Sequence, residues 1–217
     1  MNLHKMRTIL AAISFSVVAF AQTPVTVDSP FQVRYASNLN IGDSVVNITN
    51  SGARGAALAA GTSASTTGSI CVNVYAFSPD EQMISCCSCP VTPNGLVSLS
   101  SRNDLISNTL TPAVPTSIVV KLLASVPVGG SCNGSAATVG NNERAGLAPG
   151  MLAWGTTLHA SPVAGTFYGT ETQFLPATLS DGELSRLTQL CTFIQANGSG
   201  FGICRSCRLG GLGAGRG

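Results

Sequence analysis

Eight cysteines, Cys71, Cys86, Cys87, Cys89, Cys132, Cys191, Cys204 and Cys207, constrain this chain more than any other feature of its sequence. Where thiols oxidise, an even set of this size reads as a disulfide framework, and a framework dictates which segments lie side by side. On the order of 100 complete pairings exist, so spacing alone does not give the connectivity. One local limit follows from backbone geometry. Adjacent residues on an extended chain point to opposite sides, so Cys86 and Cys87 are expected to reach different partners and tie two neighbours to one strand. Cys204-Arg-Ser-Cys207 either closes on itself or meets the Cys86-Cys87-Ser-Cys89 cluster. A zinc or iron–sulfur centre and a redox-active thiol pair are the alternatives for these sulfurs. The second half of a zinc site is not regularly spaced here and no His follows Cys207, so structural disulfides are expected, with no metal and no cofactor.

The N-terminus bears on the compartment. Lys5 and Arg7 precede an apolar run from Thr8 to Phe20, broken only by Ser14 and Ser16, which ends in Ala19-Phe20-Ala21. A charged start, an apolar stretch and a small-x-small site make a cleavable signal peptide over residues 1–21, with cleavage expected after Ala21. The run is shorter than the roughly 20 residues that cross a bilayer. Once the leader is removed, the chain is expected to have no transmembrane segment and to be secreted or held at the cell surface.

Only 9% of the 217 residues are charged, against roughly a quarter in ordinary globular proteins. Lys and Arg number 11 against 9 Asp and Glu, and the leader takes two of the cations with it, so the remainder is formally neutral. There is no basic stripe from which to expect nucleic-acid binding. A mean hydropathy of +0.33 is too high for a disordered chain. A nearly uncharged surface also lacks the repulsion that keeps copies apart, which permits self-association.

Patterning predicts a mainly β protein. Ile70 to Phe77 alternates, with Ile70, Val72, Val74 and Ala76 on one face and Cys71, Asn73, Tyr75 and Phe77 on the other. Ser78-Pro79-Asp80-Glu81 supplies a turn, and Gln82 to Cys89 returns as the second arm of a hairpin. Further strands are expected at Val25–Val27, Phe31–Tyr35, Ser44–Thr49, Leu96–Ser100, Ser117–Ser125, Met151–Ala160 and Thr166–Phe174. In Met151–Ala160 the face carrying Leu152, Trp154, Thr156 and Leu158 is expected to be buried. Residues 50–69 and 128–150 are rich in small and polar residues and read as loops. Ser180 followed by Glu183 is a capping box, and Leu184, Leu187, Leu190, Cys191 and Ile194 recur on one face until Asn197-Gly198, predicting a helix over about 181–196. The expected fold is a single antiparallel β-sandwich-like domain over residues 22–208 with one C-terminal helix, cross-linked by disulfides. Residues 209–217 read as a flexible glycine-rich tail.

The stretches Ser37–Ala53 (SNLNIGDSVVNITNSGA) and Ile70–Ser100 (ICVNVYAFSPDEQMISCCSCPVTPNGLVSLS), continuing through Trp154–His159 to Phe201–Cys207, resemble a group of exported bacterial proteins of unknown function. The resemblance implies export and transfers no catalytic residue.

No constellation compels a reaction. Beyond the leader the one His is His159, and no Gly-x-Ser-x-Gly elbow accompanies it. Asp80 with Glu81 sits in a turn, and Glu171, Asp181 and Glu183 cluster near the helix start, where Glu183 is explained by capping. Asp28, Asp43, Asp80 and Asp104 lie near turns without the spacing of a calcium loop. The chain is therefore expected not to be an enzyme. A structural or self-associating surface protein is expected first; Val25–Tyr35 is expected to pair within its own sandwich, and is the segment that would join a neighbour's sheet if any does. The alternative is a secreted glycan- or protein-binding module that reads its target through the two loops with Trp154 or Tyr168.

Overall fold

The computed structural model describes residues 28–56, 67–134, 146–199 and 204–209. The expected leader, the centres of both long loops, residues 200–203 and those beyond Leu209 lie outside these. The described residues form two antiparallel five-stranded sheets. In chain order the strands are β1 (Phe31–Ala36), β2 (Val45–Asn50), β3 (Ile70–Phe77), β4 (Met83–Val91), β5 (Leu96–Ser100), β6 (Ile118–Ser125), β7 (Met151–Ala160), β8 (Phe167–Gln173), β9 (Leu175–Pro176) and β10 (Arg208–Leu209). A single π-helical turn, Ser101–Leu105, follows β5, and one α-helix, α1 (Asp181–Ala196), precedes β10. The first sheet runs β4-β3-β6-β1-β9 and the second β10-β5-β2-β7-β8.

Two apolar layers hold the three-layer stack together. Between the sheets lie Val46, Ile48, Ile70, Val72, Val74, Leu99 and Leu122 with their neighbours. On the other side of the first sheet, Phe31, Tyr75, Phe77, Met83 and Leu123 meet Leu184, Leu187, Cys191 and Ile194 of α1. Every residue of β3 is therefore buried, its even-numbered side chains against the second sheet and its odd-numbered ones on the opposite face.

α1 is built as its sequence predicts. The Ser180 hydroxyl accepts from the Glu183 amide at 3.1 Å. The Glu183 carboxylate, however, goes to Lys121 on β6, 2.5 Å away, whose ammonium also sits 4.5 Å over the Phe77 ring. The one cation on that face of the sheet is thus neutralised by the first turn of the helix, where an anion also suits the dipole. At the far end Gly198 takes φ +84°, and the amides of Gly198 and Ser199 donate to the carbonyls of Gln195 and Ile194. This is a Schellman stop, which needs a residue that tolerates positive φ.

Tyr75 lies fully buried in the layer beneath α1, with its hydroxyl donating to the Gly134 carbonyl at 3.2 Å. Burial pushes this phenol above its ordinary range. A folded-state value raised above the unfolded one stabilises the fold fully below the unfolded value, near pH 10, and the contribution is lost as pH rises toward the folded value. Stability measured by urea unfolding is expected to fall above about pH 10, and Tyr75→Phe should make that alkaline limb shallower.

Three expectations need correction. The inward face of β7 is Met151, Ala153, Gly155 and Thr157, small at all but its first position, whereas Leu152, Trp154, Thr156 and Leu158 are half-buried on the outside. Arg34 of β1 explains the reversal. Its guanidinium crosses between the sheets to Thr157 and Thr172 at 2.7 and 3.0 Å, and a Cβ at Gly155 would sit 2.6 Å from its Nη1. Only a small face fits against it. Burial draws this guanidinium below its usual value, opposed by the charge of Glu171. Second, self-association cannot use Phe31–Tyr35: β1 takes the pairing within its own sandwich, between β6 and β9, and the expected strand at Val25–Val27 lies outside the described residues. Third, Leu209 belongs to β10, paired with Val97, so the folded body extends one residue into the expected tail.

Candidate functional site

All eight cysteines are paired: Cys71 with Cys132, Cys86 with Cys191, Cys87 with Cys204, and Cys89 with Cys207. The Cα separations of 5.0–5.9 Å lie within the range such bonds span. Cys86 and Cys87 do point apart. Cys86 faces α1, and Cys87 faces the inter-sheet core, where it takes Cys204. Cys71–Cys132 pins the start of the second long loop to β3.

The turn from Cys204 to Cys207 is seated on a buried carboxylate that sequence reading treated only as a turn acid. Asp104, fully buried in the π-helical turn, accepts from the Ser100 amide at 3.2 Å, from the Ser206 amide at 3.1 Å and from the Ser206 hydroxyl. The other aspartates near turns are also committed to local donors. Asp28 accepts from the Gly150 amide, Asp43 from the Ser100 hydroxyl and the Arg102 amide, and Asp80 from the Ser78 hydroxyl. Asp43 and Asp104 meet through Ser100; the remaining two lie apart.

Each sheet ends in two edge strands, and an edge presents unpaired amides and carbonyls that another chain can pair with. Three of the four edges are blunted. Along β4, the Ser88 carbonyl accepts from the Cys204 amide and the Ile84 carbonyl from the Ser199 hydroxyl, while three disulfides bind covering segments to the strand. β9 has two residues, one of them Pro176, and β10 also has two. β8 differs. All seven of its residues are exposed, and it contains no Pro or Lys.

β8 is held from the inner side only. Its residues pair with β7 from Trp154↔Gln173 to Ala160↔Phe167. Thr172 takes the Arg34 bond, Thr170 lies 2.9 Å from the His159 imidazole, and Tyr168 stacks on that ring at 5.2 Å between centroids. His159 therefore packs along the hairpin, with its Nε2 directed to a hydroxyl. Of the ten large apolar residues exposed among the described ones, five belong to this region: Val163, Phe167, Tyr168, and Tyr35 with Leu175 beside the strand. On the outer face of the second sheet Asn47 joins three strands, donating to Glu171 at 2.9 Å and accepting from Ser98 at 2.5 Å. Trp154 stands between Asn47 and Gln173 in the strand register.

No helix among the described residues is long and apolar enough to cross a membrane. No protein-family model, curated protein or solved structure matches this chain.

Proposed function

We propose that this chain is an exported structural protein of the cell surface, not an enzyme, and that it works by pairing with a second copy of itself along β8. The observation that carries the reading is the contrast between β8 and the three protected edges. Four disulfides suit a non-cytoplasmic setting. They also make the body rigid, so that pairing adds a strand without refolding.

The chemistry of β8 favours a copy of the same chain over a charged partner. An antiparallel pairing with its twofold at Thr170 sets Phe167 against Gln173, Tyr168 against Thr172 and Glu171 against Gly169. No like charges then face each other, and the ring of Phe167 or Tyr168 gains a cross-strand neighbour. Because the β4 edge is covered, the contact is isologous and closes as a dimer, whereas a free second long edge would allow a filament.

The experiment is sedimentation of the leader-free protein over a range of concentrations. A monomer–dimer equilibrium is expected, and Thr170→Lys, which places two ammonium groups opposite each other at the axis, should weaken it by about tenfold or more. A monomer at every concentration, or association untouched by the lysine, overturns the dimer. In the first case a second reading gains: a binding module using the outer face, where Trp154 lies between two amide side chains. Its mark would be a change of tryptophan emission on adding a neutral oligosaccharide.

A further inference from the structure

Cys87 and Cys89 sit two residues apart on one face of β4, and the Cys204–Cys207 turn lies against that face. Besides forming two disulfides, three of these cysteines make one compact group, to which Cys87 is joined through its bond to Cys204. The sulfurs of Cys89, Cys204 and Cys207 lie within 4.8 Å of one another, and Cys204 is bonded to Cys87. A zinc ion held by thiolates at about 2.3 Å needs its sulfurs roughly 3.8 Å apart. We propose that, with these two bonds reduced, the four thiolates of Cys87, Cys89, Cys204 and Cys207 bind one zinc ion.

The turn does not depend on its sulfurs for its position. The Ser206 amide and hydroxyl hold Asp104, the Ser206 oxygen accepts from the Ser100 amide at 2.7 Å, and the Cys204 amide donates to Ser88 at 3.1 Å. Arg208 and Leu209 then pair with Ser98 and Val97 of β5. Opening the disulfides leaves these bonds in place, so the thiols remain gathered. Within the turn the Cys207 amide donates to the Cys204 carbonyl at 3.3 Å, a tight loop of the kind in which two cysteines share a metal.

The chemistry balances. Two dithiol molecules deliver four electrons and four protons, cleave both S–S bonds and leave as cyclic disulfides. Zinc then displaces four protons from the four thiols, so binding weakens steeply as pH falls. The other two bridges cannot substitute: Cys71–Cys132 and Cys86–Cys191 contribute one pair each, and Cys86 points to the opposite face of β4. The segment from Cys204 thus has one lock for oxidising surroundings and another for reducing ones.

The test uses the purified protein, reduced by a phosphine, freed of metal without air, and titrated with cobalt(II) as a spectroscopic stand-in for zinc. One equivalent should give the visible bands and sulfur-to-metal charge transfer of a tetrahedral tetrathiolate, and zinc should bleach them. Cys89→Ser with Cys207→Ser should abolish the signature, whereas Cys71→Ser with Cys132→Ser should keep it. Folding is followed in parallel by circular dichroism, and zinc is expected to restore native ellipticity should the reduced chain unfold. A reduced wild-type protein without the bands, or bands that survive the Cys89 and Cys207 substitutions, overturns the site. An unfolded reduced chain that zinc does not rescue overturns it equally.

Discussion

Replacing Cys86 and Cys191 together by serine is expected to lower stability by about 2–5 kcal/mol, more than any single surface change. The bridge joins residues 105 positions apart and is the only covalent tie between α1 and the sheet it covers. Without it the helix relies on Leu184, Leu187 and Ile194, and on the Lys121–Glu183 pair, which is partly exposed and so contributes little. Hydrogen exchange is expected to quicken along α1 and on the strand positions beneath it, and denaturant unfolding gives the magnitude. If α1 keeps its protection and the midpoint is unchanged, the helix is held by packing alone.

Asp104→Ala should be nearly as damaging, at about 3 kcal/mol, because it removes the acceptor of the buried Ser206 amide and hydroxyl and leaves the Ser100 amide only the Ser206 oxygen. Asp104→Asn keeps the volume but turns an amide group toward donors, so it should recover little. Urea unfolding measures the loss, and faster exchange at the Ser206 and Cys204 amides would place it at the turn. A variant as stable as the parent would mean that these donors find other partners.

How far the sequence reveals this fold depends on which force acts at each position. α1 is legible to the residue, because its cap, apolar stripe and glycine stop are all local and agree with one another. β3 is legible as a strand for a similar reason, since its alternation and the turn after it are local, whereas burial of its second face, which carries Asn73, depends on where α1 settles. β7 misleads, because a Trp on an alternating strand reads as the inward face. What decides its orientation is Arg34, about 120 positions earlier, lying against Gly155. The same distance effect hides the role of Asp104, whose partner Ser206 is 102 residues away. The divergence of Cys86 and Cys87 follows from strand geometry, but their partners do not, because pairing is set by where α1 and the turn at Cys204 settle. The exposed edge is hidden for another reason. β8 is a strand in the sequence pattern, but its being the open one depends on three other edges being closed.

The placement of the bridges also sets a timetable. Three of them join β4 to Cys191, Cys204 and Cys207, across 105, 117 and 118 residues, and only Cys71–Cys132 closes within 61. A chain that emerges N-terminus first therefore presents Cys86, Cys87 and Cys89 as three neighbouring thiols long before their partners arrive. Oxidation that comes too early would join them to one another or to Cys71, so correct pairing requires that these sulfhydryls be shielded, or such errors be reshuffled, until residues 191–207 have been delivered.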